Sequence, residues 1–538
     1  MTIVCEETHK SKPEFVRFTL QFPLKMLGLE DCQRSLYVST ADYCLRQFAG
    51  CIEKIDLERE HKTGKEKYTG RIYIHKPNQK ILLRNSSFIE DQKLNIMIVI
   101  RFPVHMMEKR NVVAGKLSVK IVKKELAKAI RDFVALFDMT QYEQFVSVYR
   151  RQLEIRNILK EKGLVCFIAN NSILPRENGD LPLSSAVPFI SPPEDEVELA
   201  LTDGYTLKGM GIREGVTVIT GGGYSGKSTL LDSILAGVYN HISSDGREYC
   251  ITEQNTCKII AEDGRSVTSL NISPFIRNVT YLDTERFTSL HASGSTSQAA
   301  NIIEAISFGC KTLLIDEDRT ATNFMIRDSR MKQIIKDDPI VPFTDRVRQI
   351  YREVKVSTIL IIGGTSEYLD LADNVYMMKD YCLYNYNKEI SLTRQNSFEY
   401  YNTLDEYPVH WKLDRVVKSD TLSSFRKDTE SNRIHEHICI NKYIVQVGSN
   451  IVDVSRLETI ISPQQITTIA FVIRYLANMR KDSSFNLYDS VSEIYNIICT
   501  KGLDSVYSNS FDVEPDMEMP TLHDILFTFS RINLSEYL

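Results

Sequence analysis

The chain has no CxxC pair and no regular spacing among its eleven cysteines, which argues against a zinc ribbon and against a disulfide framework. Cys5, Cys32, Cys44, Cys51, Cys166, Cys250, Cys257, Cys310, Cys382, Cys439 and Cys499 therefore read as reduced thiols, and a cytoplasmic or nuclear location is expected. No arginine-rich amphipathic start is present: Met1-Thr2-Ile3-Val4-Cys5-Glu6-Glu7 carries early acids, which disfavours a transit peptide. The longest apolar run, Leu94 to Ile100, is too short to span a bilayer, so no membrane partner is expected. Charge of one sign is also lacking. With 65 basic and 70 acidic residues the net charge of −5 argues neither for nor against nucleic acid. No internal repeat is evident. At 538 residues, a prior of roughly 100–200 residues per domain gives about three domains.

What is present begins at Gly221-Gly222-Gly223-Tyr224-Ser225-Gly226-Lys227-Ser228-Thr229, a complete G-x-x-x-x-G-K-S/T sequence. It follows the β-branched run Val216 to Thr220 and opens into Leu230-Leu231, the strand, loop and helix order that a nucleoside triphosphate site requires. The glycines let backbone N–H groups turn inward around phosphates. Lys227 can reach the β and γ phosphates, and the Ser228 hydroxyl can ligate Mg²⁺. The helix starting near Lys227 adds its N-terminal N–H groups and partial positive charge to the same anion site. Lys311-Thr312-Leu313-Leu314-Ile315-Asp316-Glu317 reads as a buried strand ending in two carboxylates, the form of a Walker B segment. Asp316 is expected to hold the Mg²⁺ shell and Glu317 to polarise the attacking water.

Between them, Ala292-Ser293-Gly294-Ser295-Thr296-Ser297-Gln298 leads into a helical pattern at Ala299, Ile302, Ile303, Ala305 and Ile306. ABC ATPases place a Leu-Ser-Gly-Gly-Gln signature at this distance before Walker B. Ser293 and Gly294 fall on its Ser-Gly, while Ser295 and Thr296 depart from its Gly-Gln. Asp316 to Asn323 lines up with the D-loop of such domains, with Asn323 where an aspartate is usual. The strand Ser357 to Ile362 then runs into Gly363-Gly364-Thr365-Ser366, a glycine standing where transporters carry a switch histidine. Thr365 or Ser366 could supply a hydroxyl instead, or the γ-phosphate is sensed elsewhere and turnover is slow. Asn271 and Ser273 are candidates for the Q-loop residue, and Tyr205 for stacking on adenine, although a turn tyrosine explains Asp203-Gly204-Tyr205 equally well.

The chain resembles the predicted ATPases of the ABC class, a soluble group distinct from transporter subunits. The resemblance rests on residues 221–231, 237–242, 245–248, 262–267, 272–276, 292–304 and 315–328. It extends more weakly to 163–169, 173–176 and 462–465. It implies an ABC-like ATPase core with extra amino- and carboxy-terminal domains and a link to RNA in at least part of the family; the pattern along the chain makes the expected fold an α/β, ABC-type P-loop nucleotide-binding core flanked by an α+β amino-terminal domain and a partly helical carboxy-terminal domain. The expected ranges are 1–190, 195–385 and 386–538, the first boundary being read from Pro188, Pro192 and Pro193. ABC proteins sandwich each ATP between the P-loop of one subunit and the signature of another. One of each per chain therefore predicts a homodimer, ATP and Mg²⁺ as ligands, and Ser293 and Gly294 acting in trans.

Residues 60–84 hold seven basic residues against two acids: Lys62, Lys65, Lys67, Arg71, Lys76, Lys80 and Arg84, interleaved with His61, Tyr68, Tyr73 and His75. Ile72, Ile74 and Ile81, Leu82, Leu83 suggest a hairpin joined by residues 75–79. A basic hairpin with tyrosines can track phosphates and stack bases, which makes Lys62, Lys65, Lys67, Arg71, Tyr73 and Lys76 candidate nucleic-acid contacts, though such hairpins are commonly solvated surface. A second basic run, Lys109 to Lys128, straddles a strand and a helix start. Gly115 is read as a turn and Ala127, Ile130, Phe133 and Val134 as the buried helix side. His435-Glu436-His437 lacks a third metal ligand. The stripe Ile466, Ile469, Ala470, Ile473 and Leu476 predicts a core-facing helix over 464–480. Three function classes stay open: an RNA-linked ATPase, a nucleotide-gated scaffold for protein partners, and, least supported, a small-molecule kinase, which has no use for Ser293-Gly294.

Overall fold

The computed structural model describes residues 2–8, 15–62, 71–102, 112–178, 180–327, 331, 334–335, 338–393, 409–425, 443–447, 450–480, 484–506 and 516–532. The chain divides into two compact units, 1–150 with 496–519 and 151–495 with 520–538.

In the first unit, β1 (Thr2–Thr8), β2 (Phe15–Pro23), β3 (Arg71–Ile74), β4 (Ser87–Glu90) and β5 (Lys93–Arg101) form an antiparallel sheet of order β1-β2-β5-β3, with β4 also on β5. Alternation sets its faces: Leu20 and Phe22 on β2 and Leu94, Ile96, Ile98 and Ile100 on β5 are buried. The helix α1 (Tyr37–Lys62) buries Ala41, Leu45, Phe48, Ile52 and Ile55, spaced three and four apart. Phe22, Phe48 and Phe133 meet edge to face at 5.3–6.1 Å, tying the sheet to α1 and to α2 (Val112–Ala135).

Three expectations fail here. The basic hairpin does not form, because β3 pairs with β5, Arg71 opposite Arg101, and not with Lys80–Ile81. Lys80 and Arg84 are buried, and Arg84 is ion-paired to Asp42 and, at 2.6 Å, to Glu518. Burial opposes the Arg84 charge, yet the two carboxylates outweigh it and raise its pKa. Gly115 lies inside α2 instead of marking a turn. A single helical glycine costs about 1 kcal/mol, which burial of Val122, Leu126, Ala129 and Phe133 along the same helix outweighs. Of the expected buried side only Phe133 is fully covered, so the helix face is rotated from the expected one.

The second unit has two main sheets. An antiparallel one has the order β7-β8-β6-β10, from β6 (Leu164–Ala169), β7 (Glu196–Ala200), β8 (Thr206–Arg213) and β10 (Cys250–Thr252). The other has the order β11-β14-β15-β9-β16-β17. It is built from β9 (Val216–Gly221), β11 (Thr256–Ile259), β14 (Thr312–Asp316), β15 (Ser357–Ile361), β16 (Asn374–Lys379) and β17 (Cys382–Asn385), and all its pairs are parallel except β16 with β17. β14 and β15 are buried along their whole length, as central parallel strands must be. Between β9 and β10 lies α3 (Lys227–Ala236), whose Leu230, Leu231 and Ile234 pack with Ile219, Leu314 and Ile359 of the sheet. A hairpin, β12 (Arg265–Leu270) with β13 (Phe287–Ala292), precedes α4 (Gly294–Ser307).

The units divide the chain differently from the expected ranges. Strand β6, inside the first range, is paired with β8 and β10, and 496–519 belongs with the first unit. The prolines at 188–193 shape a loop of the second unit. Phe189 is buried, and its backbone bonds Asn171 and Ser172. The expected carboxy-terminal helix is present as α5 (Pro463–Met479), capped by Ser462, with Ile466, Ile469, Ala470, Ile473 and Leu476 all buried. No helix among the described residues is long and apolar enough to cross a membrane.

The last helix, α6 (Leu522–Ser530), carries adjacent buried groups of opposite pH response. Burial lowers His523 from 6.5 to about 4, and burial raises Asp524 from 3.8 to about 6 despite its bonds to Thr459 and Thr521. Each amounts to roughly 3 kcal/mol of linkage. As pH falls from 6.5 to 4, the depressed histidine loses stability while the raised aspartate gains it, so the pair nearly cancels. Asp524→Asn is expected to leave stability falling through that window, and His523→Leu to leave it rising, read from urea midpoints between pH 4 and 7. Parallel profiles for both variants would refute the assignment.

Candidate functional site

The β-branched strand β9 ends at Gly221, whose φ of +144° and close approach to Met378 admit no side chain: a β-carbon there would sit 2.2 Å from the Met378 carbonyl. Glycine also takes φ +101° at Gly226, just before α3 begins at Lys227. Within the loop, Ser225 Oγ donates to the Gly222 carbonyl at 2.8 Å. The Lys227 ammonium donates to the Gly221 and Gly222 carbonyls at 2.8 and 2.7 Å, lying over the concave side of its own loop.

Parallel pairing of β9, β15 and β14 brings their carboxyl ends to one edge. Ser228 Oγ donates to Asp316 Oδ2 at 3.0 Å, joining the two motifs predicted to share Mg²⁺. Asp316 is buried, and its other oxygen accepts from Asp318 N, which starts the short 3-10 turn after the strand. A hydroxyl and a carboxylate oxygen are the hard donors Mg²⁺ takes, with substrate oxygens and water completing the shell. Among the described residues no group of three or more His, Cys, Asp or Glu forms a protein-only metal cage. The His435-Glu436-His437 stretch lies outside the described residues.

Glu317 is held by backbone. Its Oε2 accepts from Gly363 N at 2.6 Å and Gly364 N at 3.2 Å, at the end of β15 where the switch histidine was missing. A glycine pair after an apolar strand thus acts as a paired N–H donor to Glu317. The Thr365 hydroxyl, a candidate to act in place of the histidine, donates to Glu367 at 2.5 Å. Asn271 and Ser273, the Q-loop candidates, bond each other in a local turn.

Ser293 is the N-cap residue of α4, and its hydroxyl meets Thr296 Oγ1 at 3.0 Å. The Gly294 carbonyl accepts from Ser297. These bonds stay within the first turn of α4. Two of the departures from the ABC pattern answer each other: Ser295 Oγ donates to Asn323 Oδ1 at 2.7 Å. Gln298, fully buried, accepts from Ala321 N at 2.9 Å, so the helix start and the D-loop are bonded at two points. The role of Gln298 is not evident from the Ala292–Gln298 segment alone, although an amide within an otherwise apolar face is itself a signal.

Below lies a buried ionic network. Arg531 bonds Glu262, Asn301 bonds Arg265 and Glu262, and Glu304 bonds Arg265 and, at 3.3 Å, Arg415. Burial would raise Glu262, but Arg531 and Arg265 hold it below the usual carboxylate range. The model of the ABC_ATPase P-loop domain matches residues 138–412, which cover the phosphate loop, Walker B, α4 and the glycine pair.

The chain belongs to the ABC_ATPase P-loop domain family. A second family model, the MRB1590 C-terminal domain, matches residues 441–536. The uncharacterized protein MJ1628 of Methanocaldococcus jannaschii is 31% identical over 254 residues, 45% of this chain and 54% of its own length. The chain thus spans about half the length of that curated relative. Among solved structures, cbiO1 from Clostridium perfringens, part of the ABC transporter complex cbiONQ, is 15% identical and covers 45% of this chain and 95% of its own, with a TM-score of 0.24. MJ1267, an ATP-binding cassette of an ABC transporter in its ADP conformation, is 14% identical and covers 44% and 98%, with a TM-score of 0.25.

Lys62 ends α1, and Lys65 and Lys67 lie outside the described residues. Arg71 and Tyr73 are exposed on β3, the guanidinium 5.4 Å from the Tyr73 ring centre. Lys76 pairs with Glu53 at 2.5 Å on the surface. The proposed adenine residue Tyr205 is engaged by protein: it stacks with Tyr249 at 6.1 Å, and the Arg151 guanidinium lies 3.8 Å from its ring centre.

Proposed function

We propose that this chain hydrolyses ATP with Mg²⁺ at two composite sites of a homodimer and couples the cycle to RNA. The observation that carries the reading is the junction of Ser228 with Asp316, beside Lys227 and a Glu317 carboxylate aimed by two backbone N–H groups. In this reading Gly221 to Thr229 receive the phosphates, Ser228 and Asp316 hold Mg²⁺, and Lys227 neutralises the phosphate charge. Mg²⁺ supplies Lewis-acid stabilisation of the transferring phosphoryl group. Glu317 accepts the proton of the attacking water. Ser293 and Gly294, whose bonds within the chain stay in their own turn, are left to face a second subunit's ATP.

The RNA half rests on the family resemblance and on exposed Arg71, Tyr73 and Lys76. Against it, Lys80 and Arg84 are withdrawn into the interior, which favours the second reading of a nucleotide-gated scaffold for protein partners. Titration with single-stranded RNA at several salt concentrations separates the two. Replacing Lys62, Lys65 and Lys67 with alanine is expected to weaken binding and to flatten its logarithmic salt slope by about 2, at roughly 0.7 for each phosphate no longer neutralised. Binding and slope identical to wild type would remove RNA from the proposal and leave the scaffold.

A further inference from the structure

A few residues before α5, one carboxylate is shared by two cations. Glu458 Oε2 accepts from the Lys258 ammonium at 2.6 Å, and its Oε1 accepts from the Arg319 guanidinium. Lys258 stands on β11 beside β14 and is almost fully buried; it also donates to Asp232 of α3 at 2.8 Å. A cation withdrawn from water needs compensating charge, so the two carboxylates fix Lys258, and Lys258 in turn fixes Glu458. The neighbouring residues are anchored as well. The Tyr239 hydroxyl, just past α3, donates to the Thr459 carbonyl at 2.8 Å and accepts from Gln465 Nε2 at 3.0 Å.

Arg319 closes the 3-10 turn that begins at Glu317. Its carbonyl accepts from Ala261 N at 3.0 Å, and Thr320 bonds back to the Glu317 carbonyl through N and Oγ1, at 3.2 and 2.6 Å. An ion pair to a half-exposed arginine is ordinarily weak, because two long side chains must be ordered to make it. Here Lys258 has already ordered one of the two. One carboxylate thus stands between the phosphate-loop helix, reached through Lys258 and Asp232, and the turn that carries Glu317.

We infer that Glu458 is a positioning residue for hydrolysis: through Arg319 it sets the tilt of the turn that aims Glu317, giving the carboxy-terminal stretch a hold on turnover. This rests on the hydrolysis reading above and adds to it a control point remote in sequence from every nucleotide motif. Glu458 touches neither phosphate nor water in that reading. Its loss lets the turn shift while Gly221 to Ser228 stay in place, which lowers kcat and leaves KM for ATP unchanged.

The test is steady-state ATPase kinetics of the full chain with Mg²⁺, alongside urea midpoints. Arg319→Ala is expected to lower kcat about tenfold, inside the roughly 10²-fold that a misplacement of about 1 Å can cost. Its urea midpoint stays at the wild-type value, since a half-exposed pair adds little to stability. Arg319→Lys keeps a cation for Glu458 and restores turnover. Glu458→Gln leaves Lys258 to Asp232 alone, so some stability is lost there, but kcat falls by the same factor as in Arg319→Ala. The double variant falls no lower than either single, because both remove one interaction. The inference is overturned if either single turns over as wild type does, if the two losses multiply in the double, if lysine at 319 fails to rescue, or if kcat in Arg319→Ala falls only with its urea midpoint. Wild-type protein that does not hydrolyse ATP would bring down the hydrolysis reading, and this inference with it.

Discussion

Glu317→Gln is expected to lower ATP turnover by about 10²–10⁴-fold, the contribution of a positioned general base, with KM changed little. The separation follows from geometry. Glutamine keeps an oxygen that can accept from Gly363 and Gly364 N–H, so the loop after β15 stays in place, while the charge that draws the proton from water is lost. Loss of kcat with KM preserved marks an interaction made in the transition state and not in substrate binding. The same variant is expected to accumulate as an ATP-bound dimer by mass, because closure needs only binding and release needs hydrolysis. Gly363 provides the companion test. A β-carbon there meets nothing within 4 Å, so Gly363→Ala is expected to retain turnover, whereas Gly363→Pro removes the N–H and lowers kcat. Unchanged kcat in Glu317→Gln would place the base elsewhere, and an ATP-saturated variant that stays monomeric would remove the trans site.

The phosphate loop and its flanking strands were legible in sequence because the constraint is local. Val216 to Ser228 must be strand, glycine turn and helix in that order for any phosphate to be held, and β9 and α3 follow it closely. The α5 stripe was legible for the same reason, a single period over seventeen residues. The β3 pairing was not, because Ile72 and Ile74 alternate equally well for a hairpin or for the edge of a sheet, and the partner, Ile98 to Arg101, lies far along the chain. Arg84 shows the same limit: its carboxylates come from Asp42 and Glu518, which no local pattern connects. At the site, Ser295 and Asn323 each read as a departure, and their shared hydrogen bond appears only when α4 and the D-loop are folded together.

Arg531→Met is expected to cost about 3–5 kcal/mol, the penalty for leaving one member of a buried ion pair uncompensated. Arg531 bonds both oxygens of Glu262, which is itself almost fully buried, and the pair lies in one network with Asn301, Arg265, Glu304 and Arg415. Replacing both partners, Arg531→Met with Glu262→Leu, is expected to recover most of the loss, because no buried carboxylate is then left without its arginine, and Arg265 and Arg415 keep Glu304. Urea midpoints of the two singles and the double give the coupling directly. The pH dependence supplies an independent check. The folded pKa of Glu262 is depressed, so its contribution is present above the ordinary glutamate pKa and is lost as pH falls through the lower folded value. Without Arg531 that depression weakens, and the acid-side loss of stability becomes shallower. The consequence reaches the site because Asn301 and Glu304 lie on α4, the helix that begins at Ser293 and Gly294. A loosened α4 should therefore lower kcat in the single variant and restore it in the double. A stability cost with kcat unaffected would show that the network holds the fold without positioning the helix.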